Sequence, residues 1–175
     1  EDGEFGGGLL DVLGALGDLH LGLADLRDGD AVVRELGGHL GEHALGWMGG
    51  AALGASLDKQ RREEWIRIGA AAFTAHAASV VLKRIVRRKR PDYSYVRVGV
   101  KTPSRLSFPS SHATSTTAFL VGLSRLTGSK APLVGVPVMM ASRMVLGVHY
   151  PTDTVAGAAI GAATARAMTK GKTHE

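Results

Sequence analysis

Cysteine is missing altogether from the 175 residues, and aromatic residues make up only 5% of them. The missing thiols exclude disulfide bonds and cysteine-ligated zinc, and they leave the redox compartment undetermined. The acidic start, Glu1–Glu4, lacks both the basic region of a secretory signal and an initiating methionine. We therefore expect trimmed ends and infer nothing about targeting from them.

Long apolar runs are also scarce, since most runs have about 15 to 18 residues where a membrane span needs about 20. Glycine is abundant, with 24 residues. Glycines at four-residue spacing recur at Gly46, Gly50 and Gly54 and again at Gly157 and Gly161, a pattern that lets helices approach closely. The composition favours a membrane-embedded helical bundle, and a soluble bundle with an Ala/Gly core is the alternative.

Apolar periodicity predicts an all-α fold of about six helices in one domain, 1–175. The expected helices cover about 9–26 (amphipathic), 42–57, 65–82, 111–128, 132–148 and 151–168. Pro91 ends the third helix, and Pro151 fits the first turn of the sixth. Residues 92–108 are predicted to form a loop, with or without a short hairpin.

Residues that suit phosphate chemistry are concentrated in three clusters, which run from Lys83 to Pro91, from Pro109 to His112 and from Ser142 to Asp153. If successive helices alternate in direction, the end of the third, the start of the fourth, the end of the fifth and the start of the sixth share one face. The topology therefore predicts that the three clusters meet in one site.

A phosphoryl group in transfer needs fixed cations and hydrogen-bond donors around its oxygens. Lys83, Arg90 and Arg143 can supply the charge, and an arginine can bind two oxygens at once. Ser110 and the backbone N–H groups that open the fourth helix add neutral donors. Because protein cations neutralise the phosphate in this arrangement, we expect neither a metal nor a cofactor.

The two histidines of these clusters suit two chemical tasks. One can attack phosphorus, and the other can protonate the leaving oxygen. A carboxylate beside the attacking imidazole would fix its tautomer and stabilise its charge. His149 and Asp153, four residues apart at a helix start, suit that pairing.

The three clusters resemble the motifs of the type 2 phosphatidic acid phosphatases, a family that shares its site with vanadium haloperoxidases. The family pattern is Lys, six residues and Arg-Pro; then Pro-Ser-Gly-His; then Ser-Arg, five residues, His, three residues and Asp. The chain matches it from Lys83 to Pro91, from Pro109 to His112 and from Ser142 to Asp153. Ser111 departs from it, since the best-known form has glycine there. The resemblance covers about residues 65–168.

The resemblance implies a metal-independent lipid phosphatase that works through a phosphohistidine intermediate. It implies that His149 is the nucleophile, Asp153 its partner and His112 the general acid. The residues implied to hold the phosphate are Lys83, Arg90, Ser110, Arg143 and the amide of Ser111.

The small size and the stretch 103–117 resemble an actinobacterial branch of this family, assigned to dephosphorylation of decaprenylphosphoryl-5-phosphoribose in arabinan precursor synthesis. This implies a polyprenyl-linked substrate and a location in the bacterial inner membrane. The two membrane faces carry nearly equal numbers of basic residues, so charge gives little indication of which face is cytoplasmic. A substrate made from a soluble sugar phosphate favours a cytoplasm-facing site. A prenyl pyrophosphate or phosphatidate phosphatase is the alternative.

The basic run 83–90 has a simpler interpretation, because six of its eight residues are Lys or Arg. Such a segment can bind anionic lipid at a membrane surface or nucleic acid. A non-catalytic lipid-binding protein with structural histidines is therefore a second hypothesis, and we expect no nucleic-acid partner. The residues expected to be headgroup or surface charges are Arg84, Arg87, Arg88 and Lys89.

Two further histidine patterns lie outside the three clusters. The run from His39 through Glu42 to His43 matches the inverted zinc-peptidase motif H-x-x-E-H. Gly41 disfavours a rigid helix there, and no third ligand is evident, so a structural or substrate-contacting role is favoured. His76 lies among alanines and is predicted to be a packed core histidine.

Replacing the glutamate of the zinc-like motif tests that choice. Because the motif is not expected to hold the reacting group, Glu42→Ala should reduce phosphate release only partially. Turnover and bound zinc should be measured on the same purified sample. Complete loss of turnover in a protein that binds zinc stoichiometrically would contradict the phosphohistidine mechanism.

Overall fold

The computed structural model describes residues 45–92, 102 and 104–169, and this part of the chain is all-α. Its α-helices are α1 Leu45–Leu57, α2 Arg62–Val86, α3 Ser111–Thr127, α4 Gly135–Val145 and α5 Pro151–Met168. Short 3₁₀ turns, Lys59–Arg61 and Ala131–Val134, precede α2 and α4. The all-α prediction is confirmed for the described residues, and the expected helix at about 9–26 lies outside them.

Helix α2 is longer than the predicted 65–82. Glu63 and Glu64 occupy its first turn and Lys83 and Arg84 its last turn, where each sign of charge favours the helix dipole. The helix ends at Val86, and the next residue, Arg87, adopts a left-handed φ of 53° and donates its N–H to the Lys83 carbonyl over 2.9 Å. The basic run therefore begins inside the helix and continues beyond it.

Helix α4 is shorter than the predicted 132–148. It ends at Val145, and Gly147 follows with a φ of 69°, its N–H donating to the Met144 carbonyl over 2.9 Å. Glycine adopts this left-handed conformation without steric cost and is a common helix stop. As a result, His149 lies in a short connection between α4 and α5.

The segment between α2 and α3 contains an isolated antiparallel bridge between Lys89 and Leu106. Beside it, the Arg90 N–H donates to the Arg105 carbonyl over 3.2 Å and the Ser107 N–H to the Arg88 carbonyl over 2.8 Å. No strand forms in the described part of this segment, and residues 93–101 and 103 lie outside it.

Helices α3 and α5 approach closely at two glycines of α5. A Cβ added to Gly157 would lie 2.7 Å from the Ser110 carbonyl oxygen, and one added to Gly161 would overlap the Thr114 carbonyl oxygen. The spacing confirms the close-packing interpretation of Gly157 and Gly161. This contact sets the start of α3 against the start of α5.

The other helices pack around this pair. Helix α2 contacts α3 and α5, α1 packs on α2, and α4 packs on α3 and α5. The apolar core between α1, α2 and α3 contains Ala51, Ile68 and Phe119, and the Trp47 ring lies 4.8 Å from that of Phe119. His76 is fully buried in α2, as predicted for a packed core histidine.

One stretch of the described residues, Lys59–Val86, is long and apolar enough to cross a membrane by length and composition. The apolar segment Ala131–Val145 is shorter than a span.

The glycine contact between α3 and α5 predicts a stability difference between two identical substitutions. Alanine is favoured over glycine in a helix by about 1 kcal/mol. Gly161→Ala should nevertheless lower the free energy of unfolding by about 1–3 kcal/mol, because its Cβ meets helix backbone. Gly49→Ala is the matched control, since nothing lies within 4 Å of its added Cβ. Thermal unfolding followed by circular dichroism measures both, and equal stabilities would contradict the packing argument.

Candidate active site

The three polar clusters meet on one face of the bundle, as the alternating topology predicts. The Ser110 N–H donates to the Asp153 carbonyl over 3.0 Å, which joins the second cluster to the third. A guanidinium nitrogen of Arg90 donates to the Val148 carbonyl over 2.7 Å, which joins the first cluster to the third. These bonds define a site between the ends of α2 and α4 and the starts of α3 and α5.

Lys83 lies beneath this site with only 5% of its surface exposed. Its ammonium donates to backbone carbonyls of the segment before α3, over 2.6 Å to Pro109, 3.2 Å to Ser107 and 3.5 Å to Leu106. Carbonyl oxygens satisfy the donors without cancelling the charge. Lys83 therefore holds the segment in place and leaves a positive field at the start of α3.

Arg90 is held in the same manner. Its Nε donates to the Ser104 carbonyl over 2.8 Å, and one terminal nitrogen lies 3.2 Å from Nε2 of His149. Burial lowers the pKa of Arg90 to about 10. The guanidinium thus remains charged at neutral pH and lies directly against the candidate nucleophile.

His149 has a defined tautomer in this setting. A guanidinium only donates hydrogen bonds, so the Nε2 atom that faces Arg90 is the acceptor and carries the lone pair. The other ring nitrogen, Nδ1, lies 3.6 Å from Oδ2 of Asp153. That distance is slightly longer than a hydrogen bond, and a small closure would form one. The arrangement therefore places the lone pair of the imidazole on Nε2.

The charge state of His149 also suits a nucleophile. Burial lowers its pKa to about 4; the nearby Asp153 carboxylate opposes this shift, and the nearby cations Arg90 and Lys83 add to it. The imidazole is therefore uncharged at neutral pH. An uncharged ring keeps the lone pair that an attack on phosphorus requires.

Asp153 is fully buried at the third position of α5. Its Oδ2 accepts the Tyr150 N–H over 2.9 Å, so the carboxylate caps the helix in addition to facing His149. One buried carboxylate therefore contacts both the start of α5 and the neighbourhood of the imidazole.

His112 faces Arg143 across the site. The buried guanidinium of Arg143 lies 3.2 Å from Nε2 of His112, which is half-buried at the second position of α3. Arginine only donates, so Nε2 of His112 accepts in this arrangement. The Nε atom of Arg143 is buried with no hydrogen-bond partner among the described residues. It is a donor that an anion could use.

Ser110 and Ser111 open α3. The hydroxyl of Ser110 caps the helix by accepting the Ala113 N–H over 3.4 Å. The hydroxyl of Ser111 points between helices, where its oxygen lies 2.8 Å from the Ser79 oxygen of α2. Serine is therefore accommodated where the resembled motif has glycine, because its side chain turns away from the helix start.

Arg88 was missed by sequence reasoning, which grouped it with the surface charges. Its guanidinium donates to Thr152 Oγ1 over 2.7 Å and to Asp153 Oδ1 over 3.1 Å, and it lies 4.2 Å from the centroid of the Tyr150 ring. No spacing rule separates Arg88 from Arg87 or Lys89. The turn at Arg87 after α2 places Arg88, and not its two neighbours, against the start of α5.

Metal-binding groups are absent from residues 45–92, 102 and 104–169, where no three His, Asp or Glu side chains could hold an ion. The pattern from His39 to His43 lies outside the described residues.

Comparisons with known proteins agree with the motif pattern. Residues 64–173 match the family model described as PAP2 superfamily. The chain is 58% identical over 119 residues to decaprenylphosphoryl-5-phosphoribose phosphatase of Mycolicibacterium smegmatis, covering 68% of this chain and 66% of that protein. It is 55% identical over 124 residues to the protein of the same name in Mycobacterium tuberculosis, covering 71% and 70%. No solved structure matches the chain significantly.

The depressed pKa of His149 is directly measurable. In NMR spectra of protein with labelled histidine, the His149 imidazole should stay uncharged on acidification until about pH 4. His149→Ala assigns the signal by its disappearance. A midpoint near the ordinary value of 6.5 would show that burial and the nearby cations do not control the ring.

Proposed function

We propose, because this chain belongs to the PAP2 superfamily, that it is a metal-independent lipid phosphatase acting through a phosphohistidine on His149. The observation that carries the proposal is the position of His149 between Arg90 and Asp153. Arg90 faces its Nε2 at 3.2 Å and Asp153 faces its Nδ1 at 3.6 Å. This fixes the tautomer that an attacking histidine needs.

The phosphate would lie among donors that now contact the two histidines. Its oxygens would accept N–H groups of Arg90 and Arg143, including the Arg143 Nε that lacks a partner in the described part of the chain, and the amides that open α3. Lys83 would stabilise the anion through its buried charge. Charge-assisted bonds of this kind stabilise the equatorial oxygens of a phosphoryl group in transfer.

Attack by Nε2 of His149 on phosphorus forms the N–P bond as the P–O bond to the sugar breaks. Asp153 would stabilise the cationic ring that results, because Nδ1 keeps its proton and faces a buried carboxylate. Binding of phosphate by Arg143 would release Nε2 of His112. That nitrogen could then take a proton from water and donate it to the departing oxygen, and the ring would later accept a proton from the water that hydrolyses the phosphohistidine. Water hydrolyses the phosphohistidine and restores the ring.

The proposed substrate is decaprenylphosphoryl-5-phosphoribose, the compound in the name of relatives that are 55% and 58% identical. Its phosphomonoester is the group that would be removed. The same site chemistry would act on a prenyl pyrophosphate or on phosphatidate. Comparing lipid phosphates therefore forms part of the test.

We place the protein in the bacterial inner membrane, with its site at one bilayer interface facing the cytoplasm. Large apolar side chains are more than half exposed on four of the five described helices. They are Leu53, Leu57, Ile66, Val81, Ile85, Val138, Val145 and Val155, and Val134 in the 3₁₀ turn before α4 is also more than half exposed. An apolar surface this widespread suits lipid contact better than contact with water.

Phosphate release from decaprenylphosphoryl-5-phosphoribose by detergent-purified protein in excess EDTA tests the proposal. His149→Ala should lower turnover by about 10³-fold or more, because the attacking atom is removed. His174→Ala, the same substitution outside the three clusters, should retain wild-type turnover. Vanadate should inhibit, because it mimics five-coordinate phosphorus.

The opposing results are distinct. Release that requires added zinc would contradict the mechanism and direct attention to His39 and His43. Phosphate release only from other lipid phosphates would show that the substrate assignment is wrong. Binding of anionic vesicles without release from any lipid phosphate would favour the non-catalytic lipid-binding hypothesis.

A further inference from the structure

Arg88 joins the end of the basic run to the start of α5. One of its terminal nitrogens donates to Thr152 Oγ1 over 2.7 Å and to Asp153 Oδ1 over 3.1 Å. The guanidinium also lies 4.2 Å from the centroid of the Tyr150 ring, where a cation–π interaction is favourable. Three residues of the short stretch that follows His149 therefore contact one side chain.

The backbone of Arg88 is fixed independently of its side chain. Its carbonyl accepts the N–H of Ser107 over 2.8 Å and the Ser107 hydroxyl over 3.3 Å. The carbonyl of Ser107 in turn accepts from Lys83 over 3.2 Å. The guanidinium is thus anchored to the same segment that Lys83 holds before α3.

The contact divides the two oxygens of the Asp153 carboxylate. Oδ1 accepts from Arg88, while Oδ2 accepts the Tyr150 N–H over 2.9 Å and lies 3.6 Å from Nδ1 of His149. A buried carboxylate is costly without partners, and Asp153 is fully buried. With Oδ1 engaged, the carboxylate cannot rotate without losing an ionic hydrogen bond, so Oδ2 stays directed at the imidazole.

We infer that Arg88 is a positioning residue for the reaction of His149: it orients the Asp153 carboxylate and limits the negative charge that the imidazole experiences. The inference rests on the function proposed above. Arg88 makes no contact with the imidazole in the structure and acts through Asp153. It is therefore distinguished from Arg90 and Arg143, which face the histidines directly.

The charges around this pair give the direction of the expected effect. The groups that face His149 and Asp153 are Lys83 of α2, Arg88 and Arg90 of the following segment, and Tyr150. Two further groups lie one step away: Arg143 of α4 adds charge beside Arg90, and His112 of α3 faces Arg143. Removing the Arg88 cation leaves the Asp153 charge less compensated. The protonated form of His149 then becomes more favourable, so the pKa of His149 rises.

The test compares Arg88→Gln and Arg88→Lys with Lys89→Gln, a matched control that removes one exposed charge from the same run. In Arg88→Gln we expect kcat at pH 7 to fall about tenfold with KM changed less than about twofold, since loss of an orienting partner acts on the reacting state. The acid limb of kcat/KM should move to higher pH. Arg88→Lys should recover part of kcat, and Lys89→Gln should match wild type.

NMR titration of the His149 imidazole supplies a readout that needs no turnover. Its midpoint should rise in Arg88→Gln and remain unchanged in Lys89→Gln, even if the substrate assignment is wrong. Wild-type protein that releases no phosphate from any lipid phosphate would therefore refute the proposed function without deciding the titration result. A raised KM with unchanged kcat and an unchanged titration would show that Arg88 contacts substrate or lipid, which overturns the inference. Thermal unfolding shows whether each variant is folded. If Arg88→Gln is misfolded, the kcat and KM of Arg88→Lys decide whether Arg88 is a positioning residue.

Discussion

The close contact of α3 with α5 is the constraint on which the site depends. Gly157 lies where a side chain would meet the Ser110 carbonyl oxygen, and the Ser110 N–H donates to the Asp153 carbonyl over 3.0 Å. The helix start that carries His112 is therefore fixed against the helix start that carries Asp153. A methyl group added at Gly157 would separate the two helix starts and displace the two histidines relative to each other.

Around that contact, the chain solves the problem of burying several cations together. Lys83 and Arg90 bind backbone carbonyls, which are dipoles, and Asp153 is directed to Arg88 and His149. Carbonyl partners satisfy the hydrogen-bond donors and leave net positive charge inside the site. Burial, together with that charge, lowers the pKa of His149 to about 4, and the charge also favours an anion. The same buried cations therefore help to keep the imidazole uncharged and attract an anion.

The sequence predicted the helices from Ser111 and Pro151 closely, because a capping serine and a first-turn proline mark their starts. It also brought the three clusters together, since alternating helices leave few other arrangements. The helix ends were harder to predict. Charged residues in its last turn extend α2 beyond Leu82, and the turn at Gly147 ends α4 earlier than expected. The position of Arg88 could not be predicted, because it depends on the path of the chain after the α2 turn and on contacts made through space.

In the structure the guanidinium of Arg90 covers the Nε2 atom of His149. The lone pair that would attack phosphorus is occupied by a donor until something else takes that donor. A neutral electrophile offers Arg90 no anionic oxygen and leaves the imidazole covered. In the proposed mechanism a phosphate would attract Arg90 and uncover the imidazole in the same movement, so that recognition of the phosphate would also make His149 reactive.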